Sequence, residues 1–151
     1  AGRAVEFGHM VTIGQTGEKF ISYYDVMEQR AFDNTRTDRV LENHRCQFGS
    51  YPAGFTADKN YYKSMEHVRT WEEKISVFSV CKKGNRNSKE RAREASPDFK
   101  EMQKFRAGSE GSISVLKRAF GMKRCLLKGY KSFAASIGCL VFCHNLVLLT
   151  T

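Results

Sequence analysis

Near its C-terminal end the chain carries SFAASIGCLVFCHNLVLL, residues 132–149, a run without one Asp, Glu, Lys or Arg. Such a run has two resting places, a protein interior or a bilayer, because apolar surface left in water costs about 25 cal/mol per Å². Its length is just enough to span a bilayer, so a tail anchor has to be weighed. His144 and Asn145 near its centre argue against lipid, where uncompensated polar groups are costly. A helix packed across a sheet is apolar for ordinary reasons. We therefore expect a buried closing helix and no membrane partner.

Burial of that helix requires a core, and 151 residues at 41% hydrophobic supply one domain's worth. The expected organisation is a single domain over 1–151. The formal net charge of +9 is polarised. Residues 82–131 hold fifteen Lys and Arg against five Asp and Glu, a balance of +10, whereas residues 1–81 hold ten against eleven, a balance of −1. A local positive field of that kind suits a polyanion such as nucleic acid, although a solvated basic surface has the same composition. The five cysteines lack Cys-x2-Cys spacing, which points to a reduced intracellular protein rather than a disulfide scaffold. Cys139, Cys143 and the adjacent His144 could be written as a metal site. Structural zinc needs four converging ligands, however, and small thiols are common in apolar helices, so packing is the better reading. The chain starts at Ala1 without a charged-then-apolar leader, which reads as part of a longer protein.

Taken in order, residues 5–13 alternate as a strand, Gly14 to Gly17 read as a turn, and the aromatic residues 20–26 return as its antiparallel partner. Asn34 or Thr35 can cap a helix that runs to Phe48 and stops at Gly49, with Val40, Leu41, His44 and Phe48 on one stripe. Residues 52–57 read as a buried strand ending at Asp58, a position where open α/β sheets place their chemistry. A lone Asp there is ordinarily a turn or helix cap. A helix over 62–73 turns Met65, Val68 and Trp71 inward, and 75–80 read as the last strand. The basic stretch 82–95 is expected to be a loop that tracks nucleic-acid backbone or is simply solvated. Ser96-Pro97-Asp98 is a strong helix start, and that helix should reach about Phe120.

This long helix contains the most informative pattern. From residue 100 to 128 the chain reads KEMQKFRAGSEGSISVLKRAFGMKRCLLK, and between Arg106 and Arg124 its one acid, Glu110, stands among Arg106, Lys117, Arg118, Lys123 and Arg124. Helical spacing puts Arg106, Glu110 and Lys117 on one face. Gly108 and Gly111 flank the carboxylate and permit close approach of a substrate backbone. The spacing Arg-x3-Glu-x6-Lys, followed by Phe120-Gly121 and Lys128-Gly129, resembles the end of the catalytic domain of bacterial insertion-sequence transposases. Ala57-Asp58-Lys59-Asn60-Tyr61 resembles that family's strand-end motif, with Asn60 where the family has a Gly. Asn visits the left-handed region more readily than most residues. His144-Asn145-Leu146 also resembles a His-Asn-Leu in the family's closing helix.

The resemblance implies an α/β, RNase H-like fold: a mixed sheet flanked by helices, here without the first strand and its catalytic Asp. It implies a DDE transposase that cuts DNA and transfers strands with Mg²⁺ or Mn²⁺. Asp58 and Glu110 would be metal ligands. Arg106, Lys117, Arg118, Lys123 and Arg124 would hold the phosphates of transposon ends and target DNA. Neither Asp25, within a strand, nor Asp33, in a turn, suits the missing first position. Two carboxylates can hold one hard cation, whereas two-metal cleavage needs a third. The expectation is thus an inactive portion of an active parent, itself a possible homo-oligomer, located in the bacterial cytoplasm at the nucleoid. The competing expectations are a DNA-binding relic and, from another class, a membrane-tethered basic protein. The related signature in part of this superfamily also carries a Tyr three positions before the Arg, where this chain has Gln103.

Overall fold

The computed structural model describes residues 9–29, 32–123 and 125–151. They form two compact units, one from the described part of Ala1–Ala31 with Leu116–Thr151, the other from Phe32–Val115. The architecture is mixed α/β, compatible with an RNase H-like fold, and its strands make two two-stranded sheets.

In the first unit β1 (Met10–Gln15) and β2 (Ile21–Met27) pair antiparallel, with Val11 opposite Val26 and Ile13 opposite Tyr24. The hairpin expected from the alternating pattern is present; residues 5–8 of the expected first strand lie outside the described residues. The register slips between Gly14 and Gln15, and the reversal falls later than expected, closed by the Thr16 and Phe20 backbones and by Lys19 at φ 70°. The closing helix α5 (Tyr130–Thr150) lies against β2. Ile21, Val26, Leu116, Ile137 and Val141 make the core there. At Gly138 the Tyr24 hydroxyl comes close, 2.8 Å from where a Cβ would lie, so a larger residue there would displace the end of that side chain. Asn145 completes the join: its Oδ1 accepts from the Ile21 N–H and its Nδ2 donates to the Ile21 carbonyl, both at 2.9 Å. His144 is turned into the core against Phe120, while Cys139 and Cys143 are exposed. The three do not converge. α5 is enclosed on one face only, with Phe142 67% and Leu149 72% exposed. By length and composition it is also the described helix that could cross a membrane.

In the second unit a short 3-10 turn, Asp33–Thr35, leads into α1 (Arg36–Phe48). Thr35 occupies the cap position, but its hydroxyl donates to the Phe32 carbonyl rather than capping the helix. Gly49, at φ 81°, ends α1 by donating to the Arg45 carbonyl. β3 (Gly54–Thr56) runs parallel to β4 (Val77–Ser79), with α2 (Met65–Glu72) in the crossover. Ser64 caps α2 by accepting from the His67 N–H. Leu41, Val68, Trp71, Ile75, Phe78 and Val80 form the core. α2 turns Val68 and Trp71 inward as expected, whereas of the expected α1 stripe only Leu41 is buried: Val40 and His44 are half-buried and Phe48 is exposed, the inward face of α1 being made by Arg36, Thr37 and Leu41. Both strands are shorter than the apolar runs that encode them, because a parallel pair persists only where both chains stay in register.

The basic stretch is a loop only as far as Asn87. Residues Ser88–Ala95 form α3, which starts in a reciprocal box: Asn87 accepts from the Glu90 N–H and Glu90 accepts from the Asn87 N–H. Lys82 donates to both Glu90 oxygens at 2.8 Å, Arg86 meets Glu94 at 2.6 Å, and Arg93 meets Glu72 at 2.6 Å. Arg93 also donates to the Phe78 and Val80 carbonyls. These cations hold α3 to the unit. The remaining cations of the stretch, Lys83, Lys89 and Arg91, are exposed.

Candidate functional site

Asp58 follows β3 by two residues and is exposed. Its Oδ1 accepts from the Asn60 N–H at 2.9 Å and its carbonyl accepts from the Tyr61 N–H, capping the 3-10 turn Lys59–Tyr61. The ordinary structural role of a strand-end Asp is therefore filled, with the second carboxylate oxygen left to other work. Asn60 lies inside this turn rather than in the left-handed region; among described non-glycine residues only Lys19 has positive φ. The substitution for Gly thus needs no special backbone.

Glu110 is carried by α4 (Pro97–Arg118). Pro at the first position suits an unpaired donor site, and Ser96 Oγ accepts from the Phe99 N–H at 3.4 Å. Phe99 is buried and anchors this end. One turn on, Gln103 reaches the ends of both parallel strands. Its Nε2 donates to the Ser79 carbonyl at 2.6 Å and lies 3.0 Å from Ser79 Oγ and 3.2 Å from Thr56 Oγ1. Its Oε1 accepts from Arg106 Nε at 3.3 Å, and Arg106 Nη1 donates to Glu110 Oε1 at 3.3 Å. The spacing 103, 106, 110 is that of one helix face. A hydrogen-bonded chain thus runs from the strand end preceding Asp58 to the Glu110 carboxylate.

Glu110 itself is 71% exposed in its side chain, and its Oε1 accepts from Arg106. Gly108 and Gly111 point away from the Glu110 face, as residues two before and one after it must on a helix, and a Cβ built on either meets nothing within 4 Å. Along the helix, Glu110 stands two turns beyond Gln103, roughly 10 Å by helical rise. Asp58, Arg106 and Glu110 belong to the second unit; Lys117, Arg118 and Lys123 fall in the first, all exposed. α4 ends two residues before the expected Phe120, and Gly121, at φ 73°, lets the Met122 N–H return to the Leu116 carbonyl. Arg124 lies outside the described residues. Both carboxylates offer the hard oxygen donors that Mg²⁺ or Mn²⁺ takes. Among the described residues no three His, Cys, Asp or Glu gather into one cluster.

The family model described as "Transposase DDE domain" matches residues 62–150, more than half of the chain. The chain belongs to that family. The matched stretch takes in Arg106, Glu110, Lys117 and all of α5, and starts just after Asp58. No curated protein and no solved structure matches the chain.

Gln103 is the residue that the motif reading passed over, having noted it only as a departure from a Tyr. Its signal was present in the sequence: a polar side chain three and seven residues before Arg106 and Glu110, on a face that must cross strands ending in Thr56 and Ser79.

Proposed function

We propose that this chain is part of a DNA transposase that cleaves DNA and transfers strands with Mg²⁺ or Mn²⁺. In this reading Asp58 and Glu110 are two carboxylates of the metal site. Arg106 sets the Glu110 carboxylate, and Arg106, Lys117, Arg118, Lys123 and Arg124 hold DNA phosphates. The bound cation would polarise the scissile phosphate and lower the pKa of an attacking water or 3′-hydroxyl. The residues' own part is to hold the ion through oxygen and position the phosphates with cations. The observation that carries the reading is an exposed Glu linked through Arg106 and Gln103 to the strand end that leads into Asp58. The site of action would be the bacterial nucleoid, and the substrates an insertion sequence's ends and its target.

The test is nicking of end-containing DNA with Mg²⁺ by the full-length parent. Glu110→Gln is expected to abolish nicking with the fold intact, and retained nicking would overturn the assignment. A second reading, a DNA-binding module without catalysis, is favoured by the exposed cations Lys83, Lys89, Arg91, Lys117, Arg118 and Lys123, which need no metal to meet phosphates. It expects salt-sensitive DNA affinity and no cleavage with any divalent metal.

A further inference from the structure

We propose that Gln103 is a positioning residue for the metal-ligating carboxylate, a role that rests on reading Asp58 and Glu110 as the metal ligands. The amide has one orientation compatible with its neighbours. The Ser79 carbonyl can only accept, so Nε2 must face it, and Oε1 must then face Arg106. Ser79 is fully buried, its hydroxyl donates to the Phe99 carbonyl, and Thr56 Oγ1 donates to the same Ser79 carbonyl that Gln103 uses. The donor side of Gln103 is thus locked into strand backbone that cannot move without opening the core. Its acceptor side is the one described contact that fixes Arg106 from the strand side. Arg106 has five donors and a long flexible stem. Without Gln103 its guanidinium can swing, and the exposed Glu110 carboxylate paired with it swings too.

Two strands, one helix and an open carboxylate are therefore linked in series: Thr56 and Ser79 to Gln103, Gln103 to Arg106, Arg106 to Glu110. Thr56 is two residues before Asp58, so the same clamp references Glu110 to the segment that carries the other ligand. Outer contacts of this kind typically change metal affinity by about 10–100-fold.

The experiment follows two signals by NMR in the whole chain: Arg106 Nε–H exchange without metal, and Mn²⁺-induced broadening of the Asp58 and Glu110 side-chain carboxyl carbons. Gln103→Met, which keeps length but neither donates nor accepts, should speed Arg106 Nε–H exchange by roughly fivefold, the loss of one ordinary hydrogen bond. It should weaken Mn²⁺ binding by roughly tenfold. Gln103→Glu, which keeps an acceptor for Arg106, should retain the Nε–H protection that the Met variant loses, a split that a packing role alone would not produce. If Gln103→Met does not fold, Gln103→Ala takes its place. Broadening present in the wild type but indifferent to Gln103, with unchanged Arg106 exchange, overturns the proposal and leaves the metal reading standing. No broadening at Asp58 and Glu110 in the wild type overturns the metal reading and the proposal together.

Discussion

Asn145 is where the closing helix is tied to the sheet, and its removal has a cost that the geometry sets. Its side-chain amide satisfies both backbone groups of Ile21, a residue only 4% exposed, at 2.9 Å each. Asn145→Ala deletes both bonds and leaves a buried N–H and a buried carbonyl without these partners. Each orphaned group costs about 1–3 kcal/mol, so a total of about 2–4 kcal/mol is expected after partial relaxation. At the lower end, the Ile21 amide should exchange with solvent roughly 30-fold faster, since 1.4 kcal/mol is tenfold. For a chain of this size the thermal midpoint should fall by about 4–16 °C. The control is Leu146→Ala, one residue on and exposed, which should stay within about 0.5 kcal/mol. The assay is amide exchange at Ile21 together with urea unfolding at constant slope. Equal effects of the two substitutions, or an Ile21 amide unchanged in Asn145→Ala, would refute the clasp.

Two further expectations concern charge. Asp38 accepts from His67 Nε2 at 2.6 Å and from Trp71 Nε1 at 2.8 Å, joining α1 to α2. Burial pushes its carboxyl up, but the hydrogen bonds from His67 and Trp71 outweigh this and hold it below its ordinary value. The folded pKa is the lower one, so this stabilisation is fully present above the ordinary carboxylate range and disappears as pH falls through the depressed value. The stability gap between wild type and Asp38→Asn, measured by thermal unfolding from pH 7 down to pH 2, should therefore close on the acid side. Separately, Lys117→Ala should weaken DNA binding evenly across sequences and lower the slope of log affinity against log salt by about 1; an unchanged slope would remove Lys117 from the phosphate contacts.

The parts of the fold that were legible in the sequence are those encoded locally. The β1–β2 hairpin came from alternation, the extent of α1 from Gly49, α2 from Val68 and Trp71, α4 from Ser96-Pro97-Asp98 and α5 from its apolar run. What depended on a partner was less legible. The runs 52–57 and 75–80 look like full strands, yet pair over three residues each, because strand length belongs to the pair. In the basic stretch summed charge conceals pairing and so hides a helix; Glu90 and Glu94 sit at helical spacing to one another and reach back to Lys82 and Arg86. For α5 an apolar run signals burial without saying how many faces are covered, and one face is open.

At the candidate site, the composition of the motif was legible and its mechanics were not. Arg106 and Glu110 share a face as their spacing requires, and they touch. That Asp58 also caps a turn follows from the residues after it, Lys59 to Tyr61, whose backbone folds back on the carboxylate. The clamp by Gln103 depends on Ser79 and Thr56, distant in sequence and joined only through the parallel pairing of β3 with β4.

In the proposed function Asp58 and Glu110 share one divalent cation, and anomalous scattering from crystals grown with Mn²⁺ decides whether they do. One strong peak is expected within about 2.0–2.6 Å of oxygens from both carboxylates, the range of hard-cation ligation, with loss of that peak in Glu110→Gln. A peak bound by one of the two alone, or by other residues, would contradict it.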